Sequence, residues 1–207
     1  MRIKLSLLIL LLLCSPCLAT NYYSSSTGSG STCSEVSPCT LNTGLTKLTD
    51  GDTLYLRGGT YSQSVAITSG GTAGYKTIRN YTGEIPIIDA TGNSKGIDIS
   101  SGVNYIAIIG LEIKNANDWG ISTWEGRSNS YITIQNRDIH DNGLIPSLGN
   151  YTGGIVINAH GSNTITNLLI DNNTIHHNDR FGVLVYVETG VTSSSNVFSN
   201  NLIVHPN

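Results

Sequence analysis

Four segments of this chain share one pattern: Tyr105–Ile113, Tyr131–Ile139, Asn167–Ile175 and Ser195–Ile203. Each runs alternating apolar residues into a turn position, filled by Gly110, Asn136, Asn172 or Asn200, and then returns to an Ile. A second pattern, Gly followed by alternating apolar residues, starts at Gly96, Gly120, Gly154 and Gly182. Its first apolar residues, Ile97, Ile121, Ile155 and Val183, stand 24, 34 and 28 residues apart. Period-2 strands recurring at that interval, with no amphipathic helix between them, predict a solenoid of strands. A leucine-rich repeat would show L-x-x-L-x-L with an Asn, which is absent, and a sandwich would not repeat one strand-turn-strand signature in register.

Composition narrows the partners. Only 12% of the 207 residues are charged, about half the usual share of roughly 25%. Coiled coils, helical bundles and charged tails all need more Glu, Lys and Arg. The 11 cations against 14 anions, with no basic cluster, argue against nucleic acid. Met1–Ala19 reads as a secretory signal: Arg2 and Lys4 open it, Leu5–Leu13 is apolar, and Cys17-Leu18-Ala19 offers small residues before Thr20. The run is shorter than the ~20 residues of a membrane span. We therefore expect an extracellular protein with no membrane association after cleavage. Removing the segment leaves Cys33 and Cys39, which in an exported chain most simply form one disulfide around a small loop. The expected organisation is a signal peptide (1–19), an N-terminal segment with that disulfide (20–50) and the solenoid (51–207).

The Ile-x-Asn-Asn-x-Ile-x-x-Asn stretch at 170–178 and the recurrent Gly-Ile-x-Ile make a closer match. With them, the chain resembles the right-handed parallel β-helix proteins of the pectate lyase-like superfamily. The resemblance covers Gly96 to the end, Gly51–Tyr61 is similar to the family's first coil, and Thr40–Leu48 is similar to the short helix capping its N-terminal end. It implies an all-β fold of three parallel strands per coil, with coils stacked ~4.8 Å apart. Asn136, Asn172 and Asn200 would then form an inward amide ladder, with a second one from Asn142 and Asn178. Asn172 heads a glycosylation sequon but would be inaccessible in a ladder, so Asn80 and Asn150 are the better glycan acceptors.

Alternation predicts which residues leave the Gly-initiated sheet. Ile97, Ile99, Ile121, Thr123, Ile155, Ile157, Val183 and Val185 point inward. Asp98, Ser122, Trp124, Val156, Asn158, Leu184 and Tyr186 point outward, followed on the same side by His160 and Glu188. Asn117-Asp118 and His177–Arg180 occupy the turn entering this sheet, and Asp141–Gly153 makes a longer excursion suited to one wall of a cleft. In the resembled superfamily this face carries the polysaccharide groove. Trp124 and Tyr186 can stack on sugar rings, while Asn158 and His160 hydrogen-bond hydroxyls.

The resemblance implies a polysaccharide lyase, which needs carboxylate neutralisation, a base for the C5 proton and an acid for the leaving oxygen. Arg180, Asp179 and Asp118 are the candidate catalytic residues, and Asp98 and Glu188 the candidate ligands for calcium. Arg180 is the best-placed cation, yet an Arg rarely releases its proton. Hydrolysis instead needs two carboxylates ~6.5–9.5 Å apart. Asp118 and Asp179, two coils apart or ~9.6 Å, fit loosely, and Ala159-His160-Gly161 only approaches a hydrolase Gly-His-Gly block. A non-catalytic carbohydrate-binding or adhesin β-helix is the remaining alternative. Ice binding needs a flat Thr array, which Ser122, Val156 and Leu184 do not make. Adjacent residues on a strand face opposite ways, so His176-His177 reads as a solvent-exposed turn rather than a metal pair. The chain ends at Asn207, shortly after Ile203 and without a recognisable cap. We expect a monomer that is a fragment of a longer polysaccharide-binding protein.

Overall fold

The computed structural model describes residues 18–123, 128–136, 138–145 and 151–204. Three parallel sheets wrap one axis. The first stacks Asn21–Ser24, Thr53–Leu56, Lys76–Asn80, Ile106–Ile109, Ile132–Gln135, Leu169–Asp171 and Val197–Ser199 in that order. The second stacks Gly59–Tyr61, Pro86–Asp89, Glu112–Lys114, Asp138–His140, Thr174–His176 and Leu202–Val204. The third stacks Val65–Ile67, Lys95–Ile99, Trp119–Ser122, Gly153–Ala159 and Phe181–Val187. Every pairing is parallel and joins a strand to its counterpart one coil away, so this is a right-handed parallel β-helix.

The Gly-initiated segments are in-register neighbours: Ile97 pairs with Ile121, Ile121 with Ile155, and Ile155 with Val183. Their glycines have a physical cause. A Cβ built on Gly96, Gly120 or Gly154 would lie 2.5, 2.7 or 2.6 Å from the carbonyl oxygen of the next glycine in the column. Only a residue without a side chain admits that approach. Inside, Ile97, Ile99, Ile108, Ile113, Ile121, Ile134, Ile139, Ile155, Ile170 and Ile175 are at most 1% exposed. Ile over Ile thus continues from coil to coil.

Left-handed residues mark the bends. Gly110, Asn136, Asn172 and Asn200 form one row with φ of 71, 54, 52 and 52°. Tyr105, Tyr131, Asn167 and Ser195 form a second, and Asn115, Asp141 and His177 a third. The first row is exposed at its three Asn positions, which corrects the expected inward ladder. Asn172 donates to Asn136 Oδ1 at 2.7 Å, but Asn200 donates to Asp171 instead. The buried ladder belongs to the following residue, where Asn173 Nδ2 donates to Asn201 Oδ1 at 2.8 Å. Asn142 and Asn178 do form a buried ladder, Nδ2 to Oδ1 at 2.9 Å. One residue of shift reverses the side chain, so the sequon Asn172 is accessible while Asn173 is not. Asn150 lies outside the described residues.

A fourth ladder, unforeseen in the sequence, joins Asn129–Ser130, Thr164–Thr166 and Thr192–Ser194 at the corner between the third and first sheets. At the N-terminal end the helix Leu41–Lys47, N-capped by Thr40, lays Leu41 and Leu48 on the core. Cys33 and Cys39 form a disulfide beside it. The last described coil is different: Phe198, Leu202, Ile203 and Val204 are 46–59% exposed because no further coil covers them among the described residues.

Candidate functional site

The outer face of the third sheet is open only in part. Alternation aims Ser122 and Val156 outward, yet both are fully buried. Asp98 is half-buried and salt-bridged to Lys95 at 3.2 Å. The open surface therefore shifts toward the last two strands, where Asn158 lies in register with Tyr186. Here Tyr151, Asn158, His160, Leu184 and Tyr186 line a cleft of about 210 Å³. His160 Nδ1 meets Glu188 Oε1 at 2.6 Å, and the His160 and Tyr186 rings are 5.5 Å apart. Asn158 forms the floor. It is 1% exposed, and neither polar atom of its amide has a hydrogen-bond partner among the described residues.

The turn residues lie at the other end of the same strand. Arg180 Nε is 3.6 Å from Asp179 Oδ2, and the two side chains are 47% and 39% exposed. Thr152 Oγ1 donates to that same Asp179 oxygen at 2.7 Å. From Arg180 to Tyr186 the strand advances ~20 Å, so the sequence-predicted residues divide into two groups. Tyr151 joins them, because its ring stacks on Phe181 at 6.2 Å and also lines the cleft. Sequence reasoning placed a wall in the 141–153 excursion but did not single out Tyr151 or Thr152. An aromatic just before the Gly153-Gly154 pair was the available signal.

Three expected roles meet the geometry differently. Asp118 is 5% exposed, with its backbone tied to Ser94 and Gly153, so its carboxylate is not presented to a polymer. Burial behind the turn withdraws it from the face that holds Asp179. Asp98 and Glu188 are separated by three coil steps, ~14 Å, and by a further ~13 Å along the strand from Leu184 to Glu188, and each is engaged locally, with Lys95 and His160. They cannot share a calcium ion, and no group of three or more His, Cys, Asp or Glu gathers as a metal set among the described residues. Trp124 lies outside the described residues.

His177 occupies the expected exposed turn, whereas His176 ends the strand Thr174–His176 and joins a stack. His176 lies flat on His140, with ring centres 4.9 Å apart, and bonds Asp138 through Nε2 at 2.9 Å. This pair belongs to the second sheet, on a different face from the cleft.

Known proteins align with this geometry. Residues 21–182 match the family described as the Pel9A-like right-handed β-helix region. "Pectate lyase L" of Paenibacillus polymyxa (strain SC2) is 31% identical over 183 residues, covering 80% of this chain and 38% of that protein. The crystal structure of pectate lyase Pel9A superposes with a TM-score of 0.55 at 16% identity, over 83% of this chain and 47% of that one. An alginate lyase from Paenibacillus sp. str. FPU-7 gives 0.50 at 19% identity, over 84% of this chain and 68% of that one. The chain thus spans less than half the length of the pectate lyases it matches. No helix among the described residues is long and apolar enough to cross a membrane. With two-thirds of the chain or more inside the matched region, it belongs to the Pel9A-like right-handed β-helix family.

Proposed function

We propose that this chain is the solenoid of a secreted polysaccharide lyase that cleaves an acidic polysaccharide by β-elimination. The single observation that carries the reading is the track along Phe181–Val187, which leads from the Asp179–Arg180 pair past Tyr151 to the cleft at Tyr186. A rigid strand with a cation at one end and aromatic rings along it suits a chain of uronate residues. The lyase character of the pectate and alginate lyase relatives supports the choice of chemistry.

Within this scheme the guanidinium of Arg180, 3.6 Å from Asp179, acts as the cation and not as the base. Its role is to neutralise the uronate carboxylate and so make the C5 proton more acidic. Asp179, held by Thr152, is the group we assign to that proton; the C5–H electron pair forms the C4=C5 double bond, the C4–O4 bond breaks, and the departing oxygen takes its proton from solvent water. The carboxylates of the described residues do not by themselves assemble the oxygen shell of about 6–8 ligands that calcium takes, so the roles assigned to Arg180 and Asp179 do not depend on the ion. Hydrolysis by inversion is less well supported, since it needs Asp118 as an accessible partner of Asp179 and Asp118 is buried.

Incubation with pectate and with alginate tests the reading. A lyase releases unsaturated uronides, seen as a rise in ultraviolet absorbance, and Arg180→Ala and Asp179→Ala each lower the rate at least about a hundredfold. New reducing ends without that absorbance would mean hydrolysis, and binding without either product would mean a carbohydrate-binding module. Secretion is checked separately: the exported protein is expected to begin at Thr20 on N-terminal sequencing.

A further inference from the structure

The cleft beside Tyr186 has a chemistry of its own. Its volume of about 210 Å³ lies below the ~300–1,000 Å³ of sites for drug-sized ligands, so it holds one sugar ring and not a run of them. Asn158 is the informative residue. A primary amide buried to 1% exposure with both polar atoms unpartnered among the described residues is costly, and such a group is satisfied when a ligand brings its own donor and acceptor. A pair of neighbouring sugar hydroxyls does this, one accepting from Nδ2 and one donating to Oδ1. Tyr151 and Tyr186 supply ring faces, 49% and 40% exposed, and Leu184 an apolar patch.

Charge selects the ring. Among the described residues, no Lys or Arg lines the cleft, and its lining residue His160 is bonded to Glu188 at 2.6 Å. A uronate seated there would bring its carboxylate toward Glu188 with no described Lys or Arg to offset the repulsion. Nε2 of His160, on the ring side away from the Nδ1 contact with Glu188, is left to hydrogen-bond a hydroxyl, which can either donate or accept. We propose that this cleft binds a single uncharged sugar residue, such as a neutral branch or interspersed neutral unit of the acidic polymer. The inference deepens the lyase reading by adding a neutral-sugar subsite ~20 Å from Arg180, but its test does not depend on turnover.

The test is titration of the full chain, followed by NMR, with methyl β-galactopyranoside, methyl α-rhamnopyranoside and galacturonate. At least one neutral glycoside is expected to give saturable shifts, with galacturonate at least about tenfold weaker. Asn158→Leu and, at the exposed wall, Tyr186→Ala are each expected to weaken the neutral glycoside about tenfold or more, with the circular dichroism spectrum unchanged for Tyr186→Ala. Glu188→Gln is expected to narrow the discrimination against galacturonate about tenfold, which a purely structural role for Glu188 would not do. Galacturonate binding as tightly as the neutral glycosides, or no saturable shift with either glycoside, overturns the proposal. Neutral-sugar binding without unsaturated product from pectate or alginate would leave this site standing and remove the lyase reading alone.

Discussion

Gly120 shows how one atom decides the stack. A methyl group there meets the Gly154 carbonyl at 2.7 Å and a side-chain methyl of Ile139 at 2.9 Å, so the neighbouring coil must move. Gly120→Ala is therefore expected to lower stability by about 1–3 kcal/mol, as overpacking does, measured by urea denaturation. Asn178 acts by satisfaction rather than by space. Its Oδ1 accepts from the backbone and amide nitrogens of Asn142, and its Nδ2 donates to Ile139 O at 2.9 Å. Asn178→Ala strands buried donors and an acceptor, an expected loss of about 1–3 kcal/mol. Asn172→Ala, at an exposed position, loses only one surface amide bond and some left-handed preference, about 1 kcal/mol. A larger loss at Asn172 than at Asn178 would contradict the assignment of the inward ladder.

The strands were more legible than the side chains that cap them. Gly-Ile-x-Ile at Gly96, Gly120, Gly154 and Gly182 specified one sheet and its register because glycine and alternation both report backbone geometry. Its inward row proved correct through Ile157, whereas Val185 is 39% exposed near the uncovered end. The outward row was less secure. Ser122 and Val156 are covered by tertiary packing that alternation does not encode. Asn129–Ser130 and Thr164–Thr166 escaped notice because a short polar strand at a corner has too few apolar residues to show a period. The amide ladders were foreseen in kind but one was displaced by a residue, since Asn172 and Asn173 are indistinguishable until the bend fixes which faces inward. Of the site, Asn158, His160, Tyr186 and Glu188 converge, while Asp118 and Asp98 fell to burial and distance that no spacing reveals.

At the scale of the molecule, acid sensitivity follows from carboxylates that tie segments together. Hydroxyl and backbone N–H donation from Thr72, with a further N–H from Ala73, holds Asp50 down from 3.8 to about 2. Asp171 is lowered by Ser199, Asn200 and Gln135, residues of the coils on either side. Glu84 is lowered by its bonds from Arg57 and then from the Gly58 N–H. Each folded value lies below the unfolded one, so the stabilisation is complete above the ordinary carboxylate range and is lost as pH falls through the folded values. The melting temperature is expected to drop between pH 3.8 and about 2, and Asp50→Asn to flatten part of that slope.

The route from Ile139 to Ile155 takes 16 residues, whereas those from Ile113 to Ile121 and from Ile175 to Val183 take 8. All three nevertheless deliver their apolar residue to the same layer of the axis. Length at this corner is thus uncoupled from order in the core, so the segment bearing Tyr151 can be lengthened, shortened or recomposed while the stacked isoleucines stay in place. Substrate preference in such a molecule can change at its rim without renegotiating its interior.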